Sequence, residues 1–284
     1  MEEAKARIKG VLCSSGALVT RFNGRDPRLL RGVFPMLHAD GIEFMIYPSW
    51  DDRLDTVRET MRSMLKDGIF NIPVVHADKR IGELLSHGSE SDIAEARRRF
   101  SLNCIIAEEL NASLMVLHLW GGIDSDYHIS RNTDELASFM SEGERHGLLL
   151  TVENVICGDK TPLAHMQSIL ESIPNAMFTI DTKMAEFHLE LSKTIECKKL
   201  WDGHVRHLHI NDYSGGLKDF SDLRVRHIGD GHVDFKPFFE HVLSSGYDGY
   251  ATVESTSVLP DGSIDIQSIN RSLDAVRSCL SHIQ

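Results

Sequence analysis

The sequence has few cysteines and no closely spaced pair of them. Its five cysteines are an odd number, lie far apart and form no Cys-x-x-Cys motif. This distribution argues against a disulfide framework, a zinc ribbon and a redox dithiol. It favours free thiols in a reducing compartment.

Long hydrophobic runs and an excess of basic charge are also missing. No stretch approaches the roughly 18 consecutive apolar residues of a membrane helix, and residues 1–9 are charged rather than apolar. We therefore expect a cytoplasmic protein that is neither exported nor bound to a membrane. The 30 Lys and Arg residues are outnumbered by 42 Asp and Glu residues, for a net charge of -12. A field of this sign repels phosphate polymers, which makes nucleic acid an unfavoured partner.

What the sequence does have is a regular alternation of short apolar runs and amphipathic segments. Its 284 residues suit one large domain covering residues 1–284. The expected strands lie at 9–13, 41–47, 72–76, 114–118, 148–153, 177–181, 205–210 and 250–254. The expected helices lie at 52–66, 92–110, 133–146, 163–173, 235–243 and 266–282.

Eight strands alternating with helices predict an α/β protein with a single (β/α)8 TIM barrel. An open doubly wound sheet is the alternative. No Gly-x-Gly-x-x-Gly follows the first strand, so the dinucleotide site typical of that alternative has no support.

Several expected strands end in a residue that can bind a metal or a proton. In a barrel the carboxyl ends of the strands converge on the active-site mouth, so residues distant in sequence become neighbours. A buried carboxylate is unfavourable unless a cation or strong donors compensate its charge. The strand-end residues are His76, His118, Glu153, Asp181, His209 and Glu254.

The three carboxylates and His209 form a mostly oxygen ligand set for one divalent ion. Such a set favours Mn²⁺ first, with Mg²⁺, Co²⁺ and Zn²⁺ as alternatives. His207 would share the face of its neighbour His209 in a strand, so we keep it as an alternative or supporting ligand.

These residues lie in motifs that resemble the xylose-isomerase-like TIM barrel superfamily, and the resemblance spans nearly the whole chain. The superfamily includes sugar isomerases, ketose 3-epimerases and endonuclease IV. The motifs are TVEN at 151–154, IDT at 180–182, HLHIND at 207–212, IGDGHVDF at 228–235, and GYDG at 246–249 leading to Val253 and Glu254.

The resemblance implies a metal-dependent isomerase or epimerase acting on a sugar, a sugar phosphate or a related polyol ketone. In the family's epimerases the residues that match Glu153, Asp181, His209 and Glu254 hold one metal, and the two glutamates also move protons. Proton transfer would pass through an enediolate stabilised by the metal. Two bases would invert a stereocentre, whereas one base would interconvert an aldose and a ketose. Both outcomes stay open.

Further residues are expected to contact the carbohydrate substrate. His76 and His118 would orient hydroxyls, Trp120 would pack against a sugar ring, and Arg226, or alternatively Arg224, would meet a phosphate or carboxylate. A homo-oligomer is also plausible by resemblance. The arginine run at 97–99 is expected to spread over a solvated helix surface.

Two other functions are weighed against this one. An abasic-site nuclease similar to endonuclease IV would use His76 and His118 for additional metal, but Met184 stands where that branch and the epimerases have a histidine. A non-catalytic sugar-binding barrel is the third hypothesis, and the intact pair of glutamates argues against it.

Overall fold

The computed structural model describes residues 8–121 and 125–281. Their strands form a closed barrel of eight parallel strands in chain order, which confirms the predicted (β/α)8 fold. The strands are β1 (Gly10–Ser14), β2 (Gly41–Met45), β3 (Val74–His76), β4 (Leu114–Leu117), β5 (Leu149–Glu153), β6 (Phe178–Asp181), β7 (Val205–Ile210) and β8 (Tyr250–Val253).

The described residues contain twelve α-helices, eleven in the connections between the strands and one after β8. All six expected helices are present, with ends that differ by a few residues from those predicted. The other six helices are short, and a helix of about two turns has too few residues to show an apolar period. The helices are α1 (Ser15–Leu18), α2 (Leu29–Val33), α3 (Leu54–Lys66), α4 (Arg80–His87), α5 (Glu90–Glu109), α6 (Ile129–Arg145), α7 (Pro162–Ser172), α8 (Thr182–Phe187), α9 (Leu191–Glu196), α10 (Lys198–Trp201), α11 (Phe235–Ser244) and α12 (Ile266–Ser281).

The described residues of Glu43–Phe178 form one compact unit. Within it β3 pairs with β4 and β4 with β5, and every residue of β3 and β4 is buried. Helices α5 and α6 pack through Phe100 and Phe139, whose rings stack with centroids 4.2 Å apart. Each fully buried aromatic ring of this kind stabilises the fold by roughly 1.5–3 kcal/mol.

The described parts of Met1–Ile42 and Thr179–Gln284 form a second compact unit. Within it β1 and β7 pair with opposite edges of β8. The buried side of α12 consists of Ile269, Leu273 and Val276, which recur every three or four residues as an amphipathic helix requires. The prediction of one domain over the whole chain stays a prediction.

The helices of the described residues are also too short or too polar for a bilayer. None of them is long and apolar enough to cross a membrane.

Candidate active site

Three buried residues meet at the carboxyl ends of β3, β4 and β5. His76 ends β3, Glu153 ends β5, and His118 follows directly after β4. His76 Nε2 lies 3.2 Å and His118 Nε2 2.7 Å from the same atom, Glu153 Oε2. The predicted convergence of these strand ends is therefore present.

His118 differs from an ordinary histidine in the pKa of its imidazole. Burial lowers the pKa of His118 to about 4, although the carboxylate of Glu153 opposes that shift. At neutral pH the ring is therefore uncharged, which is the form that binds a metal. Its Nε2 makes no well-aligned hydrogen bond despite the short distance to Glu153. An uncharged imidazole nitrogen and a carboxylate oxygen 2.7 Å apart suit a shared cation.

The loop after β3 holds His76 in place. His76 Nδ1 lies 2.8 Å from the carbonyl oxygen of Ala77, which assigns its proton to Nδ1 and leaves Nε2 towards Glu153. Two residues on, the backbone N–H of Asp78 donates to Asn103 Oδ1 at 2.8 Å. The segment that carries His76 is thus tied to helix α5.

Arg99 on α5 reinforces this attachment. Its guanidinium contacts Asp78 at 2.8 Å and Asp51 at 2.6 Å, so one buried cation joins the loops that follow β2 and β3. Burial nevertheless raises the pKa of Asp78 above its ordinary value, against the opposing effect of Arg99. The carboxylate therefore depends on its arginine partner. The expectation that the whole arginine run is solvated is wrong for Arg99, because this side chain is buried and contacts a third carboxylate, Glu95, as well.

A second group of potential ligands lies in the other unit. Asp181 ends β6, His209 lies in β7, and Glu254 follows β8. One ligand atom from each residue lies within 4.8 Å of the others, and His209 Nδ1 is 3.5 Å from Glu254 Oε2. Two carboxylates and an imidazole at this spacing form a suitable set for a divalent ion.

Asn211, a residue with no role predicted from the sequence, connects these two carboxylates. Its side-chain Nδ2 donates to Asp181 Oδ2 at 2.7 Å and to Glu254 Oε2 at 3.0 Å. Asn211 is fully buried. A signal was present in the sequence, because residues two apart in a strand share a face and Asn211 lies two positions after His209. An uncharged amide is not an obvious member of a set of charged ligands.

The next residue, Asp212, anchors the long loop that follows β7. Its buried carboxylate accepts four backbone N–H groups, from Tyr213 at 2.8 Å, Gly229 at 2.8 Å, Gly231 at 2.9 Å and Val233 at 3.1 Å. A Cβ on Gly231 would lie 2.3 Å from Asp212 Oδ1, so only glycine permits this approach. The loop therefore begins and ends on one side chain.

Two residues expected to contact substrate have other partners. Trp120 is fully buried, and its Nε1 donates to the carbonyl oxygen of Ile156 at 3.1 Å. The guanidinium of Arg226 contacts Asp222 at 2.6 Å, which neutralises its charge locally. Their roles in substrate binding stay predictions, and these contacts offer them little support.

His207 is buried beside His209, as expected from the strand period, with ring centroids 5.1 Å apart. Its Nε2 lies 3.1 Å from Thr252 Oγ1. This contact is compatible with a supporting position and leaves Nδ1 for a ligand role, so both alternatives stay predictions.

Comparison with known proteins identifies the family of this chain. The family model for the xylose isomerase-like TIM barrel matches residues 37–279. The chain belongs to this family. A search of curated protein sequences found no match.

Solved structures of similar fold agree with the family assignment. One described as a D-tagatose 3-epimerase-like protein has 18% identity and a TM-score of 0.75, with 96% of this chain and 98% of that chain covered. An IOLI protein with a binding zinc atom has 14% identity and a TM-score of 0.74, with 97% and 99% covered. D-psicose 3-epimerase with D-tagatose from Clostridium cellulolyticum H10 has 12% identity and a TM-score of 0.71, with 96% and 99% covered. At these identities the likeness concerns the xylose isomerase-like fold.

Proposed function

We propose that the chain is a metal-dependent isomerase or epimerase that acts on a sugar, a sugar phosphate or a related polyol ketone. The observation that carries the proposal is the grouping of Asp181, His209 and Glu254 with ligand atoms within 4.8 Å. Asp181 and Glu254 accept hydrogen bonds from the same amide and therefore lie close together. Their negative charges repel each other unless a cation or a proton compensates them. We propose Glu153, from the end of β5, as the fourth ligand.

A divalent ion held by this set would act as a Lewis acid towards negative charge that develops on a substrate oxygen. The oxygen-rich ligands favour Mn²⁺, with Mg²⁺, Co²⁺ and Zn²⁺ as alternatives. The zinc atom of the IOLI protein structure makes a divalent ion a reasonable expectation for this chain as well.

The protein's own groups would move the protons. Glu153 ends β5 and Glu254 follows β8, and we propose that they reach the substrate carbon from different sides. One glutamate would remove the proton and the other would return it, which inverts the stereocentre. Return by a single glutamate to the adjacent carbon would instead interconvert an aldose and a ketose. The uncharged His118 and its neighbour His76 would orient the substrate hydroxyls.

Metal analysis by mass spectrometry tests this proposal. The wild-type chain should bind one equivalent of a divalent ion, and Glu254→Gln should lose it. Glu240→Gln is the matched control, because Glu240 is an exposed residue of α11. The loaded protein should then exchange a carbon-bound proton of a ketose for deuterium in D₂O. Absence of bound metal under metal-replete conditions would contradict the proposal.

A nuclease similar to endonuclease IV is a second candidate, favoured by one observation. His76, His118 and Glu153 also have ligand atoms within 4.8 Å of one another, which suits an additional ion. Two or three zinc ions per chain, together with cleavage of abasic duplex DNA, would establish that function. Ligand-induced stabilisation without any proton exchange would indicate a non-catalytic sugar-binding barrel.

A further inference from the structure

Lys183, the second residue of α8, is a buried lysine whose ammonium has no anionic partner among the residues that the structure describes. Only 4% of the residue is exposed. Across residues 8–121 and 125–281, no side chain or carbonyl forms a hydrogen bond or an ion pair with it. Lysine is almost never buried to this degree unless it is paired, because its charge loses hydration without compensation.

The ammonium group is nevertheless open to a ligand. Lys183 Nζ has no partner among the described residues, yet these residues do not enclose it completely. The nitrogen therefore keeps contact with solvent although the residue as a whole is buried. The buried part of the side chain is therefore the aliphatic stem, and the small exposed part includes the charge. A charge in this position can be reached from outside the protein.

The backbone beside Lys183 is fixed at the proposed catalytic end of the barrel. Lys183 lies two residues after Asp181, which ends β6. Between them, Thr182 Oγ1 donates to the carbonyl oxygen of Asn211 at 2.7 Å and accepts the backbone N–H of Asn211 at 2.9 Å. These bonds join the start of α8 to the residue that holds Asp181 and Glu254. The backbone of Lys183 thus lies next to the proposed metal ligand Asp181.

The cations expected from the sequence to bind an anion are already paired. Arg226 contacts Asp222 at 2.6 Å, and Arg224, whose side chain is 73% exposed, lies 3.4 Å from the same carboxylate. An anion would have to displace Asp222 from either arginine. Lys183 requires no such displacement.

We propose that Lys183 binds an anionic group of the substrate, either a phosphate ester or a carboxylate. The proposal rests on the proposed function and narrows it, because the substrate is then an acidic sugar rather than a neutral one. An ammonium group forms strong charge-assisted hydrogen bonds with either anion, and it loses less hydration on binding when it is already largely buried.

Inorganic phosphate provides the first test, because it requires no knowledge of the substrate. Manganese-loaded wild-type protein should bind phosphate in a calorimetric titration, and Lys183→Met should bind it about 10 to 100 times more weakly. Lys183→Arg should keep part of the affinity. Lys193→Met is the control, since it removes an exposed lysine from α9 and changes the net charge equally.

Phosphate binding by Lys183→Met equal to that of the wild type would show that the anion binds elsewhere, for example on the metal, and would overturn the proposal. Thermal unfolding without phosphate guards against a folding defect. Replacement of a buried unpaired charge by methionine should leave the melting temperature unchanged or raise it.

Deuterium exchange then separates this proposal from the function on which it rests. The assay compares each neutral ketose with an anionic form of it: fructose with fructose 6-phosphate, and ribulose with a ketose acid that carries a carboxylate. Exchange confined to the anionic compounds, with KM raised at least tenfold and kcat little changed in Lys183→Met, would support the proposal. Exchange of neutral ketoses that Lys183→Met leaves unchanged would overturn it while the isomerase function stands. Phosphate binding that depends on Lys183 without exchange of any compound would support the anion site and overturn the isomerase function.

Discussion

Substitution of Asn211 tests the proposed metal site through a residue that does not itself bind the metal. Asn211→Ala removes hydrogen bonds of 2.7 Å to Asp181 and 3.0 Å to Glu254 and leaves the backbone bonds to Thr182 in place. A hydrogen bond to a charged group contributes about 1.5–3 kcal/mol, so the gross loss is about 3–6 kcal/mol. Water will enter the gap and recover part of this energy.

We therefore expect Asn211→Ala to weaken metal binding about 10- to 100-fold, the range typical of residues that orient metal ligands. This corresponds to about 1.4–2.8 kcal/mol of binding free energy. Competition between the protein and a fluorescent chelator for Mn²⁺ gives the dissociation constant directly. Circular dichroism at each metal concentration shows that the chain is folded during the measurement.

Asn132→Ala is the matched control for this experiment. Asn132 is also fully buried, and its amide donates to Ser86 Oγ and to the carbonyl oxygen of Leu119, neither of which is a proposed ligand. It should lose stability but keep its metal affinity. A dissociation constant for Asn211→Ala within about twofold of the wild-type value would refute the reasoning that the amide positions both carboxylates.

Three further predictions concern the supporting structure. Arg99→Met removes the ion-pair partner of the buried Asp78 and should lower the free energy of unfolding, measured by urea titration, by about 3–5 kcal/mol. The control Arg98→Met removes an exposed ion pair and should lower it by less than about 1 kcal/mol. Equal losses in the two variants would contradict the structural role of Arg99. Asp212→Ala should speed proteolytic cleavage in the loop that follows it, because four backbone N–H groups lose their acceptor, and an unchanged cleavage rate would exclude that anchor. Burial raises the pKa of Glu186, so the native carboxyl keeps its proton to a higher pH than the unfolded chain does, and the contribution of this group to the free energy of unfolding should fall as pH rises from about 4 through the native pKa. Glu186→Gln should remove that contribution, and a pH dependence of stability identical to that of the wild type would count against the burial effect.

The fold was predictable from the sequence because a barrel repeats one simple pattern. Each strand is a short apolar run, and eight such runs alternating with amphipathic segments leave few other architectures. The strand ends were predictable for the same reason, since His76 and Glu153 each terminate an apolar run. The short helix α4 showed no such signal, because two turns contain too few residues for an apolar period to emerge.

The less visible parts of the candidate site depend on contacts that no local pattern encodes. Asn211 is important because one amide reaches the carboxylates at the ends of two different strands, β6 and β8. Lys183 looks like an ordinary solvated residue until its burial is known. For Trp120 the sequence suggested more than the structure supports. Its place after a strand predicted packing against a sugar ring, but its indole N–H donates to a backbone carbonyl. In each case the deciding factor is tertiary packing.

The anchoring of a long loop on Asp212 affects how the sequence of this barrel can vary in evolution. Asp212 holds Tyr213 and Gly229, the two ends of one segment of this loop, from the barrel side. Lengthening a flexible segment whose ends are already held adds only a small entropic penalty. Natural variation or laboratory exchange of this segment could therefore diversify ligand preference without rebuilding the scaffold, provided that the carboxylate and its glycine neighbours are retained.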